Sequence, residues 1–388
     1  MIRRLLVTGM ATLASVATLR AARRRAAGRL LDGPRFGPEE ALLSPAIDAL
    51  GGEVVRLRSR DGVRLSARWL PREAAPSAAH GTSDDPADTM SDDTAATADP
   101  FWAADPHDAI LLLHGYSGSV APDLVEYGPF LRRTAGVLGL DFRGHGDSDD
   151  GPSTFGLLEV EDVAGALAWL GERGITQVAL VGSSMGGITA IAAVAVLGDG
   201  SLVAADAEPH AADGFVPAPR PRIVAVVADS VAPEIVIAIA GRLRGPARRF
   251  AATRLIEGAA SVLGADPRWT EPGRVIGLVE PVPLLLIHGE ADSTVPIADG
   301  LRLAAMAGPS AQHWVVPGAE HSGAHAAAGP AYEGRVERFL RSAFVDTRRA
   351  EAERDADRAA DEPGAHDMMA RPEFPAGHPP DLATPAED

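Results

Sequence analysis

The chain contains no cysteine. Disulfides, zinc–thiolate sites and a cysteine nucleophile are therefore excluded. There is no lysine either, so all 36 basic residues are arginine. A glycine-rich phosphate loop of the kind that needs a following lysine is excluded with it. Aromatic residues make up only 5% of the chain, and no internal repeat is visible. Long apolar runs are scarce as well. The longest uncharged stretch near the N-terminus is Leu5–Leu19, flanked by Arg3-Arg4 and by Arg20 and Arg23–Arg25. At about 1.5 Å per residue it spans roughly 22 Å, short of a ~30 Å hydrocarbon core. Flanking arginines can snorkel to close that gap. A cleavable signal usually ends in a small-x-small site before polar sequence, whereas here arginines follow the apolar run directly, so residues 1–35 read as an uncleaved anchor before a secretory signal or an interfacial helix. Membrane attachment through residues 1–30 is the expectation, with the orientation open because arginines lie on both sides.

What is present is length and apolar content. With 388 residues and 46% hydrophobic residues, the chain can bury a full core. The formal charge is −17, unevenly spread. Glu73–Asp108 holds nine acids and no arginine, and Asp346–Asp388 holds twelve acids and five arginines. No basic face for nucleic acid is expected.

Short apolar runs alternate with helical patterns. Glu53–Ser59 and Val63–Leu70 read as strands joined at Asp61-Gly62, a hairpin signal. Further strands are expected at Ala109–Leu113, Gly136–Leu140, Val178–Val181, Ile223–Ala228, Pro283–Ile287 and His313–Val316. Helices are expected at Asp123–Thr134, Leu157–Arg173, Met185–Leu197, Ile297–Ala307 and Tyr332–Phe344. This order implies a mostly parallel sheet covered on both faces, with the hairpin at one edge. The domain is expected over residues 53–345. Two segments interrupt it: a disordered acidic insertion at 72–108 and a polar insertion at 199–221. Residues 233–280 read as a mostly helical cap, and 346–388 as a disordered acidic tail.

The segment Val178–Ile191 carries the sharpest signal. A β-branched run stops at Gly182, and Gly182-Ser183-Ser184-Met185-Gly186 leads directly into an apolar helix. A turn this sharp needs glycines where side chains would clash. It exposes Ser184 at a helix N-terminus, where negative charge is favoured. The plainer reading is an ordinary glycine-rich turn with an idle serine.

A serine hydroxyl needs a base, and the base an orienting carboxylate. In an open α/β sheet such groups gather beyond the carboxyl ends of strands. After Leu284–Ile287 comes His288-Gly289-Glu290-Ala291-Asp292. After His313–Val316 comes Gly318-Ala319-Glu320-His321-Ser322. These supply Asp292 and His321, in the chain order Ser, Asp, His. Asp299 is a weaker acid candidate, and Glu290 reads as a solvated loop charge. His114 and His288 are expected to brace loops, His145 and Asp147 to shape a tight turn, and Ser183 to pack beside Ser184. A metal pair at His321 and His325 is disfavoured by the intervening Ser-Gly.

These loops resemble those of the α/β-hydrolase superfamily: His114-Gly115, Asp141 to Ser148, the serine elbow, His288-Gly289 to Asp292, and Gly318 to Ser322. The wording is similar to the serine aminopeptidase-like, lysophospholipase-like and monoglyceride-lipase-like branch. The similarity spans roughly Val54–Leu340 without the two insertions. It implies an eight-stranded sheet, mostly parallel, with helices on both faces and a small helical cap. It implies Ser184 as nucleophile, His321 as general base and then acid, and Asp292 as the residue that holds the imidazole. The backbone N–H groups of Tyr116 and Met185 would form the oxyanion hole, and the Tyr116 ring could line an acyl pocket. No cofactor or metal is implied. The expected activity is ester hydrolysis on a small-molecule substrate, lipid-derived if the anchor and an apolar cap hold. Thioesterase, aminopeptidase or amidase, and perhydrolase chemistry would use the same triad, and a silent binding protein is the reading from another class. The cap carries seven arginines against five acids. That charge either attracts anionic substrates or head groups, or simply solvates a helix face. Phe250, Leu255, Ile256, Val262 and Leu263 either line an acyl site or pack the cap onto the body.

Overall fold

A computed structural model describes residues 28, 30–33, 35, 36, 40–73, 105–116, 118–199 and 220–361. Its centre is one eight-stranded sheet in the order β1-β2-β4-β3-β5-β6-β7-β8. The strands are β1 (Glu53–Arg58), β2 (Arg64–Leu70), β3 (Asp108–Leu113), β4 (Gly136–Leu140), β5 (Gln177–Ser183), β6 (Arg222–Asp229), β7 (Leu284–Gly289) and β8 (Gln312–Val316). β1 and β2 form the antiparallel hairpin, and β2 joins β4 antiparallel. Every other pairing is parallel. β3, β4, β5 and β7 are buried along their whole length, as expected of strands covered on both faces.

Side-chain alternation splits the core in two. Leu111 and Leu113 face one apolar layer, and Ile110 and Leu112 face the other. The first layer is closed by α3 (Glu159–Glu172) and α4 (Met185–Leu197), the second by α1 (Glu40–Leu50), α2 (Ala121–Leu131) and the start of α9 (Pro330–Asp361). α4 is buried on nearly every side. That explains its all-apolar, small-residue sequence, which lacks the polar face of a surface helix. Between β6 and β7 come α5 (Ile235–Arg242), α6 (Arg248–Leu263) and the short turns Pro267–Thr270, Pro272–Val275 and Ile276–Leu278. α7 (Ile297–Met306) follows β7, and α8 (Ala324–Ala328) follows β8.

The strand order reverses between β3 and β5. The chain leaves β3 for β4 on one side and resumes with β5 on the other. Such a reversal opens a crevice at the carboxyl ends of the two strands. The Tyr116 loop and Ser184 lie there.

Three expectations change. α1 has no counterpart in the sequence reading. Its Glu40 carboxylate accepts the N–H and hydroxyl of Ser119 (2.7 and 2.8 Å). Second, the tail foreseen as disordered from Asp346 is helical to Asp361. The stretch is rich in Ala, Arg and Glu, which favour helix without any apolar face. Arg354 and Arg358 add bonds within it, to the Ala350 carbonyl and to Asp355. Third, β3 already begins at Asp108, inside the segment foreseen as an insertion. Residues 74–104, 200–219 and 362–388 lie outside the described residues, so the insertion and tail readings stand there as expectations.

Candidate active site

The elbow is built by sterics. Ser184 has φ 52° and ψ −114°, in a region L side chains rarely adopt. Such a residue costs on the order of 1–3 kcal/mol and persists only when its surroundings impose it. Here the Ser184 N–H donates to the Asp229 carbonyl (2.8 Å), and its carbonyl accepts the Ile188 N–H (3.0 Å). A side chain at Gly182 would collide with the Gly186 backbone, and one at Gly186 with the Leu113 carbonyl. Both elbow glycines are therefore required by close backbone approach.

Ser184, His321 and Asp292, far apart in sequence, meet in one hydrogen-bonded line. His321 Nε2 lies 3.0 Å from Ser184 Oγ, and His321 Nδ1 lies 2.8 Å from Asp292 Oδ2. Asp292 is buried, and its other oxygen accepts the N–H groups of Thr294 (2.9 Å) and Val295 (2.7 Å). That leaves Oδ2 for the imidazole. A carboxylate can only accept, so the His321 proton sits on Nδ1 and the Nε2 lone pair faces the hydroxyl.

The loop after β3 approaches the same point. A Cβ placed on Gly115 would touch the Cβ of Ser184 at 3.9 Å. His114 fixes this loop. Its Nε2 accepts the Phe142 N–H (3.1 Å), so the proton is on Nδ1 and donates to the Gly115 carbonyl (2.6 Å). Burial, with His145 nearby, pushes the His114 pKa down to about 3, which keeps the ring neutral. His145 Nε2 stands 2.8 Å from the Tyr116 carbonyl. His288 Nε2 stands 2.9 Å from the Val295 carbonyl, beside Asp292. His114 and His288 brace loops around the site, as the sequence suggested, and His145 links its own turn to the Tyr116 loop. Met185 begins α4, so its N–H has no partner within the helix.

Ser183 does more than pack. Its hydroxyl donates to Ser322 Oγ (2.7 Å). Glu290 is exposed and accepts the Gly318 N–H (3.1 Å). Asp299 lies in the first turn of α7 and reaches Arg302 at 3.4 Å. His325 is engaged by Glu126 and Glu333 (3.0 and 3.4 Å). Among the described residues no group of three or more metal-binding side chains is assembled.

Two contributors were missed in the sequence. One is the Asp229-Ser230 pair at the end of β6. Ser230 Oγ donates to Asp229 Oδ1 (2.9 Å) and accepts the Ser322 N–H (2.9 Å). The signal was an acid at a strand's carboxyl end, the same signal that gave Asp292. The other is the segment before α1. The Leu30 carbonyl accepts the Tyr116 hydroxyl (2.7 Å), the Leu31 carbonyl accepts the Ser153 N–H (2.7 Å), and the Arg35 carbonyl accepts the Gly146 N–H (2.8 Å). Leu31 is buried against Ala259 of α6. Nothing in a stretch read as an anchor pointed to these contacts. Of the apolar residues in the cap segment, Ile256 is buried in the core, whereas Phe250 and Val262 are exposed.

The alpha/beta hydrolase family model matches residues 110–333, more than half of the chain. The chain belongs to this family. Family membership agrees with the fold described above and makes the protein a hydrolase. Relatives include the YfhR proteins of Salmonella typhi, 27% identical over 61% of this chain and 70% of theirs, and of Escherichia coli O157:H7, 26% identical over 80% and 87%. Similar solved folds include the esterase Pf2001 of Pyrococcus furiosus, with TM-score 0.51 and 22% identity over 81% of this chain and 98% of that one. An alpha-beta hydrolase from Vibrio vulnificus has TM-score 0.52 and 18% identity over 82% and 92%. Residues 1–27, which hold the expected anchor, lie outside the described residues. Among the described residues no helix is long and apolar enough to cross a membrane.

Proposed function

We propose that this alpha/beta hydrolase is a serine esterase that works through an acyl-enzyme. The observation that carries the reading is the line from Ser184 Oγ through His321 to Asp292. Ser184 Oγ attacks the ester carbonyl while His321 Nε2 takes its proton. The imidazolium that forms is held by Asp292 Oδ2, itself fixed by two backbone donors. Negative charge on the carbonyl oxygen meets the N–H groups of Met185, at the N-terminus of α4, and of Tyr116. Nε2 then gives its proton to the departing alkoxide. Water, activated by the same nitrogen, releases the acid. The loop wording supports the aminopeptidase-like, lysophospholipase-like branch, and esterases among the similar folds fit an ester substrate. Lipid-derived esters follow if residues 1–30 attach the protein to a membrane.

The test is a panel of p-nitrophenyl esters, acyl thioesters and aminoacyl amides, run alongside fluorophosphonate labelling. Ester turnover and labelling that both vanish in Ser184→Ala support the reading. Preference for thioesters or amides keeps the triad and changes the substrate. An unlabelled, inactive wild type overturns the enzyme assignment.

A further inference from the structure

Arg242, the last residue of α5, stands between two loops of the candidate site. Its neighbour Gly241 packs directly on the backbone of Thr294, which follows Asp292 closely; even a Cβ at Gly241 would collide with the Thr294 carbonyl. Arg242 itself reaches the other way. Its guanidinium carbon lies 5.5 Å from the centroid of the Tyr116 ring. The Tyr116 ring is held rigidly, stacked on Phe155 at 4.9 Å and bonded through its hydroxyl to Leu30. The helix end thus bridges the loop of the triad acid and the loop proposed to bind the oxyanion. Ser184 lies between those loops.

Like Arg244, Arg248 and Arg249 of the same cap segment, Arg242 has no ion pair among the described residues; what sets it apart is its place beside the Tyr116 ring. Arg254, Arg268 and Arg274 of the same cap segment are each paired with a carboxylate: Glu257, Asp266 and Glu271. Among the described residues no carboxylate lies within ion-pair distance of Arg242. Among the described residues its side chain makes one hydrogen bond, Nη1 to the Ala238 carbonyl (2.9 Å), within its own helix. Most of its donors make no other bond among the described residues. Asp292 is near enough to act on it electrostatically. A chain of net charge −17 has no general reason to attract anions. A cation with forked donors beside the Tyr116 loop does so locally.

We propose that Arg242 determines specificity by binding a carboxylate on the substrate, so that the preferred esters are half-esters of dicarboxylic acids or their close analogues. The proposal rests on the serine-esterase reading. It adds the charge of the acyl group. A planar guanidinium next to an aromatic face suits a carboxylate, which it can hold through paired bonds.

The test compares mono-p-nitrophenyl succinate, glutarate and adipate with neutral esters in which an isopropyl group replaces the carboxylate. kcat/KM is corrected for spontaneous hydrolysis and measured for wild type, Arg242→Gln and Arg242→Lys. At least one half-ester is expected to be preferred over its neutral partner. That ratio should fall about tenfold in Arg242→Gln, the usual scale for a charge-assisted hydrogen bond. Arg242→Lys should recover part of it, and added salt should erode it in the wild type. A merely structural arginine would lower both esters together and leave the ratio unmoved. A ratio near one in the wild type, or one that survives Arg242→Gln, overturns the proposal while ester hydrolysis stands. A second readout needs no turnover: glutarate should slow fluorophosphonate labelling of Ser184 in the wild type and less so in Arg242→Gln. Equal slowing in both proteins, or none in either, counts against the proposal. No labelling and no hydrolysis would instead sink the esterase reading itself.

Discussion

Ser230 Oγ accepts the backbone N–H of Ser322 at 2.9 Å and thereby ties the end of β6 to the residue after His321. The adjacent Asp229 carbonyl holds the Ser184 N–H at 2.8 Å. One dipeptide therefore sets the positions of both the hydroxyl and the imidazole. Ser230 and Ser322 adopt left-handed φ values of 56° and 57°, a strained pairing kept for this contact. Ser230→Ala removes the acceptor of a partly buried N–H and a donor to a buried carboxylate. The expected loss is about 10- to 100-fold in kcat, since small displacements of reacting groups carry costs of that size. The protein should remain folded by circular dichroism. Unchanged kcat would show that Ser322 is held well enough by Ser183 alone.

Asp292→Asn tests the tautomer argument. Asparagine can turn its NH2 group toward Nδ1, which would then lose its proton to Nε2 and remove the base from Ser184. A fall of about 10⁴ in kcat is expected, with little effect on folding, as for the same exchange in other Ser-His-Asp sites. Retention of more than a tenth of the activity would mean that another carboxylate serves the imidazole.

Asp229 also makes stability depend on pH. Burial pushes its pKa up to about 7, against the pull of Ser230, His321 and Tyr332, with Asp292 adding to the rise. The folded state therefore binds a proton that the unfolded chain has released above its ordinary pKa of about 4. For a raised pKa the contribution is fully present below the unfolded value and is lost as pH rises through about 7. Asp229→Asn removes this term. Its Tm relative to wild type should rise between pH 5 and pH 8. A difference that is flat across that interval would mean Asp229 is ionised in the fold throughout.

Gly186→Ala is the sharpest test of the elbow. The added methyl would meet the Leu113 carbonyl, which belongs to the central strand β3 and cannot move away. Overpacking of this kind costs about 1–3 kcal/mol or more. Loss of soluble protein, or a Tm lowered by several degrees with loss of fluorophosphonate labelling, is expected. A stable, labelled Gly186→Ala would show that the turn has slack.

The elbow, the acid and the base were legible because each sits where a strand pattern stops at glycine or a loop signal. Strand ends are the part of an α/β fold that periodicity marks most clearly. The hairpin was legible from Asp61-Gly62 for the same reason. What stayed hidden depends on contacts without local pattern. Asp229 ends a strand just as Asp292's loop does, yet only the folded chain shows that its carboxylate faces Ser230 and Tyr332 (2.9 and 3.4 Å) and not the imidazole. α1 contains Pro45, which reads as a break. The helical run past Asp346 lacks the apolar stripe by which helices are recognised.

The contacts of Leu30, Leu31 and Arg35 give a final prediction about where the working enzyme begins. A chain starting at Gly28 keeps the acceptors for the Tyr116 hydroxyl and for the N–H groups of Ser153 and Gly146. A chain starting at residue 37 keeps none of them. It also loses Arg35, whose guanidinium binds the Gly146 carbonyl (2.9 Å) and pairs with Asp150, and it uncovers Ala259. Tyr116 lies in the loop proposed to bind the oxyanion, and Gly146 lies in the turn that carries His145. Loosening both should act on kcat more than on KM, because an oxyanion donor is strongest in the transition state. The shorter chain is expected to lose about tenfold in kcat against p-nitrophenyl butyrate and several degrees in Tm, relative to the chain that starts at Gly28. Tyr116→Phe in the longer chain isolates the hydroxyl from the rest, and should give a smaller loss of the same kind. Equal kcat and Tm in the two truncated proteins would show that residues 28–36 lie on the site without supporting it.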